Sequence, residues 1–197
     1  MPPKIPLIIA LVGKRASGKD VCARYLVRKY KAKVFAMSNF IAQVLDLFHV
    51  PANRKNIVWL ISRARRQFGP GILAKAVADA IKNCDNSLVI INGIRLLDEA
   101  KILKKQFSHK FILAKVISSD YDRWQRVITR ENKNYIPKDE VKSSLRDFLQ
   151  QEKRIITEKE IPALEKKARW EVKNFGKRKE VYGQIDRMMK RVRKITG

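Results

Sequence analysis

An apolar segment, a glycine-bounded loop and a helix-like segment follow one another near the start of the chain. Residues 5–12 form a continuous apolar run, residues 13–20 read GKRASGKD, and residues 21–31 have helical spacing. This order predicts a buried parallel strand joined to a helix by a tight turn. A turn of the form G-x-x-x-x-G-K in this context is typical of a loop that binds phosphate groups. The chain is therefore expected to be an α/β protein that binds a nucleotide.

The loop carries the groups expected to bind ATP. Gly13 and Gly18 allow the backbone to curl so that successive N–H groups face one centre, and the following helix N-terminus adds partial positive charge. Lys19 is expected to reach the β- and γ-phosphates, and Ser17 to donate to a phosphate oxygen. The predicted ATP-binding residues of the loop are Gly13, Lys14, Arg15, Ala16, Ser17, Gly18, Lys19 and Asp20.

Asp20 departs from the usual pattern of such loops. Serine or threonine usually follows the lysine and holds Mg²⁺. A carboxylate is a hard oxygen ligand that also suits Mg²⁺, directly or through water. The sequence therefore predicts that ATP binds with Mg²⁺ and that Asp20 is the metal-site residue.

Four further strand-like segments alternate with helix-like segments along the rest of the chain. They cover residues 33–37, 87–91, 111–117 and 170–172 and predict four more strands. Helices are predicted at 18–31, 40–48, 56–67, 72–82, 96–107, 120–132 and 180–195, and 139–167 is predicted to be largely helical with a turn near Pro162. Alternating strands and helices indicate a five-stranded parallel sheet with helices on both faces, in which ligands bind beyond the carboxyl ends of the strands.

Polar residues that follow the second and third strands are expected to receive a second, phosphorylated substrate. An arginine after a strand can hold a phosphate, and a glycine permits close backbone approach. Four arginines, at 54, 63, 65 and 66, cluster in the helix-like region that follows the second strand. The predicted acceptor-binding residues are Ser38, Arg54, Arg63, Arg66, Asn92, Gly93 and Arg95. The alternatives are a solvated turn and an exposed basic helix pair.

Arg123, Arg126 and Arg130 lie three and seven positions apart, so a helix places them on one face. Phosphoryl transfer depends mostly on positioning and charge stabilisation, so arginines on a closing lid would suit it. The predicted catalytic residues are Lys19, Arg95, Arg123, Arg126 and Arg130. An ordinary solvated basic face is the alternative for the helix.

The formal net charge of +25 is high for 197 residues. Such a surface attracts nucleotides, coenzymes or RNA, although a lysine-rich proteome or solubility at high temperature would also produce it. The basic residues are spread along the chain, which weakens the case for a nucleic-acid partner. Cys22 and Cys84 have no metal-ligand spacing and indicate free thiols in a reducing compartment. No apolar run is long enough for a membrane span, so no membrane partner is expected. A cytoplasmic location and a monomeric state are expected as well.

The loop at 13–20 resembles that of the P-loop nucleoside monophosphate kinase-like group. Within the group, the chain is most similar to deoxynucleoside monophosphate kinases and dephospho-coenzyme A kinases. The form Lys-Arg-x-Ser-Gly-Lys-Asp, with Asp at the position of Asp20, is typical of deoxynucleoside monophosphate kinases and of animal phosphomevalonate kinases. The resemblance implies a three-layer P-loop NTPase fold in one domain, with an acceptor-binding insertion at about 38–84 and a lid at about 120–160.

The similarity extends loosely over most of the chain. In this group a serine follows the second strand, arginines precede a glycine in the acceptor helix, and an Arg-rich lid helix follows the fourth strand. The Asn174-Phe175-Gly176 turn matches the group's turn against the nucleotide base, so Asn174 and Gly176 are implied to bind ATP. Asn92 stands where the group usually has an Asp that helps hold Mg²⁺ or polarises the acceptor. Asn keeps an oxygen but loses the charge, so either Asp20 compensates or catalysis is altered.

The resemblance implies transfer of the γ-phosphoryl group of ATP to a nucleoside or deoxynucleoside monophosphate. Two alternatives stay open. One is a dephospho-coenzyme A kinase, whose acceptor is a ribose hydroxyl and for which Asp20 would be the base. The other is a P-loop nucleotide-binding protein that acts with RNA or a ribonucleoprotein.

Overall fold

The computed structural model describes residues 5–131, 144–155 and 158–196. Its strands are β1 (Leu7–Val12), β2 (Lys33–Ala36), β3 (Leu88–Asn92), β4 (Phe111–Ile117) and β5 (Trp170–Lys173). All neighbouring pairs are parallel, and the strand order is β2-β3-β1-β4-β5. The predicted five-stranded parallel α/β sheet is confirmed. Because β1 is central, the loop that follows it opens at the middle of the sheet edge where parallel α/β proteins bind ligands.

Helices cover both faces of the sheet. They are α1 (Lys19–Tyr30), α2 (Met37–Leu47), α3 (Arg54–Phe68), α4 (Ile72–Lys82), α5 (Leu97–Phe107), α6 (Asp120–Glu131), α7 (Leu145–Arg154), α8 (Ile161–Lys167) and α9 (Arg178–Thr196). One core cluster packs α2, α4, α5 and α8 against one face, and a second packs α1 and α9 against the other. The three layers predicted from the sequence are therefore present.

The central strand shows why continuous apolar runs were the correct signal. Ile8, Ala10 and Val12 belong to the core on the α4–α5 face, whereas Ile9 and Leu11 belong to the core on the α1–α9 face. Successive side chains of a strand point to opposite faces, and here both faces are buried. A strand of this kind needs apolar residues at every position rather than at alternate ones.

Several element boundaries differ from the prediction, and that of α2 changes where a predicted site residue lies. Helix α2 begins at Met37, directly after β2, so Ser38 lies in its first turn and not in a loop. The predicted turn near Pro162 is present at residues 159–160, and Pro162 itself lies in the first turn of α8, where a proline sacrifices no helical hydrogen bond. The predicted helical positions 139–143 and 156–157 lie outside the described residues.

Helices α1 and α9 are joined by a polar contact as well as by the core. Asp186 of α9 accepts hydrogen bonds from the hydroxyls of Tyr25 and Tyr30, at 2.9 and 2.7 Å, and from Lys29 Nζ at 2.7 Å. The rings of Tyr25 and Tyr182 stack with their centroids 4.0 Å apart. These contacts fix α9 against the helix that follows the phosphate-binding loop.

Both cysteines are free thiols. Cys22 is buried in the core beneath α1, and burial raises the pKa of its thiol to about 12, so it stays protonated. Cys84 is half-buried after α4. Among the residues that the structure describes, no helix has both the length and the apolar character to cross a membrane.

Replacing Leu26 by alanine tests the core between α1 and α9. Leu26 is fully buried, whereas its neighbour Val27 is 40% exposed. Leu26→Ala should lower the free energy of unfolding by about 2–5 kcal/mol because it leaves a cavity. Val27→Ala should change it by less than about 0.5 kcal/mol. Urea unfolding followed by circular dichroism measures both, and equal effects would contradict this packing.

Candidate active site

The loop at 13–20 follows β1 and depends on two glycines. Gly13 has φ +149°, and a Cβ there would lie 2.3 Å from the carbonyl oxygen of Val116. Gly18 has φ +104°, and a Cβ there would lie 2.0 Å from the side-chain amide of Asn174. Both positions exclude a side chain sterically, in addition to favouring glycine through their φ angles. The turn therefore packs closely against β4 on one side and the turn after β5 on the other.

Lys19 folds back over this loop. Its ammonium group donates to the carbonyl oxygens of Gly13 at 2.6 Å and Lys14 at 2.9 Å. The side chain is buried, and burial, followed by the positive charge of Arg95, lowers the pKa of Lys19 to about 8. Both acceptors are neutral carbonyl groups. A phosphate chain in the loop would give the ammonium group a negatively charged partner.

The other outward carbonyls of the loop also accept hydrogen bonds from side chains. Arg15 O accepts from Arg123 at 3.1 Å, Ala16 O from Arg126 at 3.1 Å, and Ser17 O from Asn174 Nδ2 at 2.8 Å. With its carbonyls held on the outside, the loop presents its N–H groups to the centre, which is the arrangement that binds anions. The loop is thus preorganised for phosphate, and its donors come from α1, α6 and the turn after β5.

Arg123 is a structural arginine, contrary to the sequence prediction that it closes over the transferring group. Its side chain is 1% exposed and binds both carboxylate oxygens of Glu152, with Nη2–Oε2 at 2.8 Å. It also donates to Asp120 at 2.6 Å and lies over the ring of Phe148. The guanidinium is therefore committed to joining α6, α7 and the back of the loop.

Arg126 also lies behind the loop, although it was predicted to act as a lid arginine. It donates to Ser118 Oγ and to the carbonyl oxygen of Asn174, both at 2.9 Å. These bonds tie α6 and the loop to the turn after β5. The side chain of Arg130, the third predicted lid arginine, lies outside the described residues.

One residue of the turn after β5 supports the loop at 13–20, and the next two are exposed to solvent. Asn174 is buried and contacts the loop, whereas Phe175 and Gly176 are exposed. The two residues predicted to bind the nucleotide base therefore differ in placement. Asn174 shapes the loop, and Gly176 lies on the accessible side of the turn.

The structure brings Asp20 and Asn92 together. Asn92 Nδ2 donates to Asp20 Oδ1 at 2.7 Å, across the gap between the start of α1 and the end of β3. Both side chains keep further oxygen lone pairs, and oxygen is the ligand that Mg²⁺ prefers. Within the described part of the chain, no group of three or more His, Cys, Asp or Glu residues could hold a metal ion. An ion here would need phosphate oxygens as additional ligands, as in ATP sites.

A cavity of about 230 Å³ adjoins the loop on the side of α2 and α3. Its polar lining is Arg15, Ser38, Ser62, Arg65, Gly93, Arg95 and Glu158. Its apolar lining is Met37, Val58, Ile61, Leu73 and Ile155. Arg15 belongs to the phosphate-binding loop, so the cavity opens directly beside it.

Arg65 is the arginine of α3 that reaches this cavity, instead of Arg63 and Arg66. Consecutive helical residues are rotated by about 100°, so neighbours of an inward-facing position point to solvent. Arg63 and Arg66 are exposed, and Arg63 lies over the ring of Trp59. The side chain of Arg54 lies outside the described residues.

Glu99 is a functional candidate that the sequence did not distinguish from an ordinary helix-start acid. It is fully buried, accepts from Arg65 Nη2 at 2.6 Å, and accepts from the backbone N–H groups of Arg95 and Leu96 at 2.9 and 3.1 Å. This one carboxylate orients Arg65 and also fixes the turn that carries Arg95. The one indication in the sequence was that Glu99 lies three residues after the start of a predicted helix, a position from which a glutamate side chain can accept from the backbone N–H at the helix start.

Arg95, which is predicted to hold the acceptor phosphate, lines the cavity and forms an ion pair there. Its Nη1 contacts Glu158, and Glu160 accepts from the backbone N–H of Leu97 at 2.6 Å. The segment before α8 is thereby held against the turn after β3. Glu158 Oε2 is buried and has no hydrogen-bond partner among the described residues.

The chain has the fold of P-loop kinases. Shikimate kinase from Acinetobacter baumannii, solved with shikimate, has a TM-score of 0.57 and 15% identity, over 98% of this chain and 96% of that one. A gluconokinase from Sinorhizobium meliloti 1021 has a TM-score of 0.56 and 9% identity, over 98% and 99%. At these identities the likeness concerns the fold, and at that level it confirms the resemblance drawn from the loop.

Sequence relatives match only part of their own length. A UPF0200 protein from Hyperthermus butylicus is 27% identical over 124 residues, which are 63% of this chain and 65% of that protein. The match thus spans slightly less than two thirds of that relative. No protein-family model matches the chain.

The lowered pKa of Lys19 predicts a pH-dependent affinity for ATP. At pH 7 the amine is charged, but above about 8 the unliganded protein loses that proton. ATP binding must then restore the proton, so the affinity should fall about tenfold between pH 7 and pH 9. Titration calorimetry at constant ionic strength measures this change. Lys19→Met should bind ATP weakly at both pH values, and a pH-independent affinity of the unsubstituted protein would contradict the assignment.

Proposed function

We propose that the protein transfers the γ-phosphoryl group of ATP to a nucleoside or deoxynucleoside monophosphate. The observation that carries this proposal is the direct junction between the preorganised loop and the arginine-lined cavity. Arg15 belongs to both, and Arg95 lies close enough to Lys19 to lower its pKa. The shared fold with kinases supports a phosphotransferase, and the cavity supports an anionic acceptor.

The donor would bind along the loop at 13–20. Inward-facing N–H groups and the α1 N-terminus would hold the phosphates, with Lys19 as the charged contact. The base would lie at the turn that contains Gly176. Asp20, with Asn92 beside it, and the phosphate oxygens would hold Mg²⁺, which neutralises charge on the β- and γ-phosphates when bound.

The acceptor would bind in the 230 Å³ cavity. Arg95 and Arg65 would hold its phosphate, while the apolar wall with Val58 and Ile61 would face the nucleoside. A phosphate at Arg95 would displace Glu158, whose second oxygen is already without a partner. The acceptor phosphate oxygen is itself the nucleophile and already anionic, so the reaction needs no side-chain base.

A hydroxyl acceptor, as in dephospho-coenzyme A, is the second candidate. The position of Asp20 favours a hydroxyl acceptor, because its carboxylate lies at the start of α1, where the loop ends, and accepts a hydrogen bond from Asn92. A hydroxyl nucleophile needs a group to accept its proton, and a carboxylate can do so. The structural neighbours include kinases named for shikimate and gluconate, whose acceptors are not nucleotides.

An acceptor panel with matched arginine variants tests the proposal. ATP consumption is measured with nucleoside monophosphates, deoxynucleoside monophosphates and dephospho-coenzyme A. A monophosphate should be phosphorylated, and Arg95→Gln should raise its KM about 10- to 100-fold by removing a charge-assisted hydrogen bond. Arg66→Gln, on the exposed side of α3, should leave that KM unchanged.

The contrary results are also distinct. Turnover with dephospho-coenzyme A alone, lost in Asp20→Asn, would favour the hydroxyl acceptor. ATP binding without transfer to any acceptor would reject the kinase proposal.

A further inference from the structure

A groove between α1 and α9 carries three arginines. It has a volume of about 380 Å³, and its cationic lining is Arg24, Arg28 and Arg178. Tyr25 and Tyr182 also line it. The groove lies on the sheet face covered by α1 and α9, whereas the acceptor cavity lies on the face covered by α2 and α4. We name it the arginine groove.

The arginines of this groove are not neutralised. Among the described residues, none of Arg24, Arg28 and Arg178 forms an ion pair. Lys29, on the same helix, is different because it is paired with Asp186 at 2.7 Å. The groove therefore has three exposed positive charges without an ion-pair partner among the described residues. The carboxylate of Asp186 accepts from Tyr25 of the lining but is already paired with Lys29, so the groove keeps a net positive charge that attracts polyanions.

The tyrosines lie beside one arginine. The Tyr25 and Tyr182 rings are parallel within 3°, and the Arg28 guanidinium lies 5.8 and 5.6 Å from their centroids. The guanidinium is nearly equidistant from two rings that stack on each other, so it lies beside their edges and not over the face of either. Arg28 is exposed, so it is accessible to an anion. Because each ring already covers one face of the other, the pair is less available for stacking with a base, and the arginines are the groups that would contact a phosphate.

A further arginine of α9 lies beyond the groove, on the far side of the Asp186–Lys29 ion pair. Arg193 lies over the ring of Tyr30, on the side of α9 that contacts α1. The distance along the helix from Arg178 to Arg193 is about 22 Å at 1.5 Å per residue. This length exceeds a single mononucleotide and accommodates several consecutive phosphates of an extended strand.

We propose that the arginine groove binds the phosphodiester backbone of a single-stranded nucleic acid without reading its sequence. A membrane surface fits less well, since Val27 is the one exposed apolar side chain among the groove's lining residues, and surface anchoring needs several inserted apolar groups. This binding is independent of the proposed kinase reaction, because the groove shares no residue with the acceptor cavity.

Two charge-reversal variants test the proposal. Arg24→Glu/Arg178→Glu changes the groove, and Lys75→Glu/Lys105→Glu removes the same charge from exposed positions on α4 and α5. Binding of fluorescein-labelled oligouridine and oligodeoxythymidine of equal length is followed by anisotropy across a salt series. The unsubstituted protein should bind with a Kd of about 10⁻⁶–10⁻⁴ M, the range of non-specific binding.

The groove variant should bind at least tenfold more weakly, with a salt slope reduced by about 0.7 for each lost phosphate contact. The control should stay within threefold of the unsubstituted protein, and ATP affinity should be unchanged in both. If only one of the two oligomers binds, and its binding is lost in the groove variant, that oligomer identifies the ligand as RNA or as DNA. Equal losses in both variants, or no binding at low salt, would overturn the proposal. If the reversal variant fails to fold, Arg24→Gln/Arg178→Gln replaces it under the same criteria.

Discussion

The phosphate-binding loop keeps its shape because side chains satisfy its outward carbonyl groups. Lys19, Arg123, Arg126 and Asn174 together donate to every carbonyl oxygen from residue 13 to 17. Each donor comes from an element that must already be packed, so the loop depends on the docking of α1, α6 and the turn after β5. In return, that turn and α6 are aligned by the loop. The candidate nucleotide site therefore depends on the whole sheet edge and not on a local motif alone.

The exposure of each arginine distinguishes the arginines that support the loop from those that are candidates for binding the acceptor. Arg123, paired with Glu152, is 1% exposed, whereas Arg65 is 12% and Arg95 is 26% exposed. Removing one member of a buried ion pair leaves an uncompensated charge in the interior. The buried pairs are therefore needed for the stability of the fold. Arg95 faces the cavity and has a partner with an unsatisfied oxygen, so it is the arginine best able to exchange a carboxylate for a phosphate.

Sequence reasoning succeeded where a residue's environment was implied by its neighbours. The inner strands β1, β3 and β4 were predictable because a strand buried on both faces is apolar at nearly every position. The loop was predictable because Gly13 and Gly18 lie at close contacts that leave no room for a side chain. It failed where a partner came from a distant segment. Arg65 is held in the cavity by its ion pair with Glu99, and Arg123 is held behind the loop by its ion pair with Glu152. Neither pairing follows from helical spacing alone. Placing Arg65 requires the rotation of α3 on the sheet, which only the folded chain defines.

The central claim is that the loop directs the terminal phosphate of ATP toward the arginine-lined cavity. A crystal structure with Mg²⁺ and a non-hydrolysable ATP analogue tests it most directly, and independently of the acceptor. The account predicts the β-phosphate within the loop at 13–19 and the terminal phosphate on the side of Arg15 and Arg95. A terminal phosphate directed to the opposite side, toward the cavity lined by Ser17 and Glu165, would contradict it.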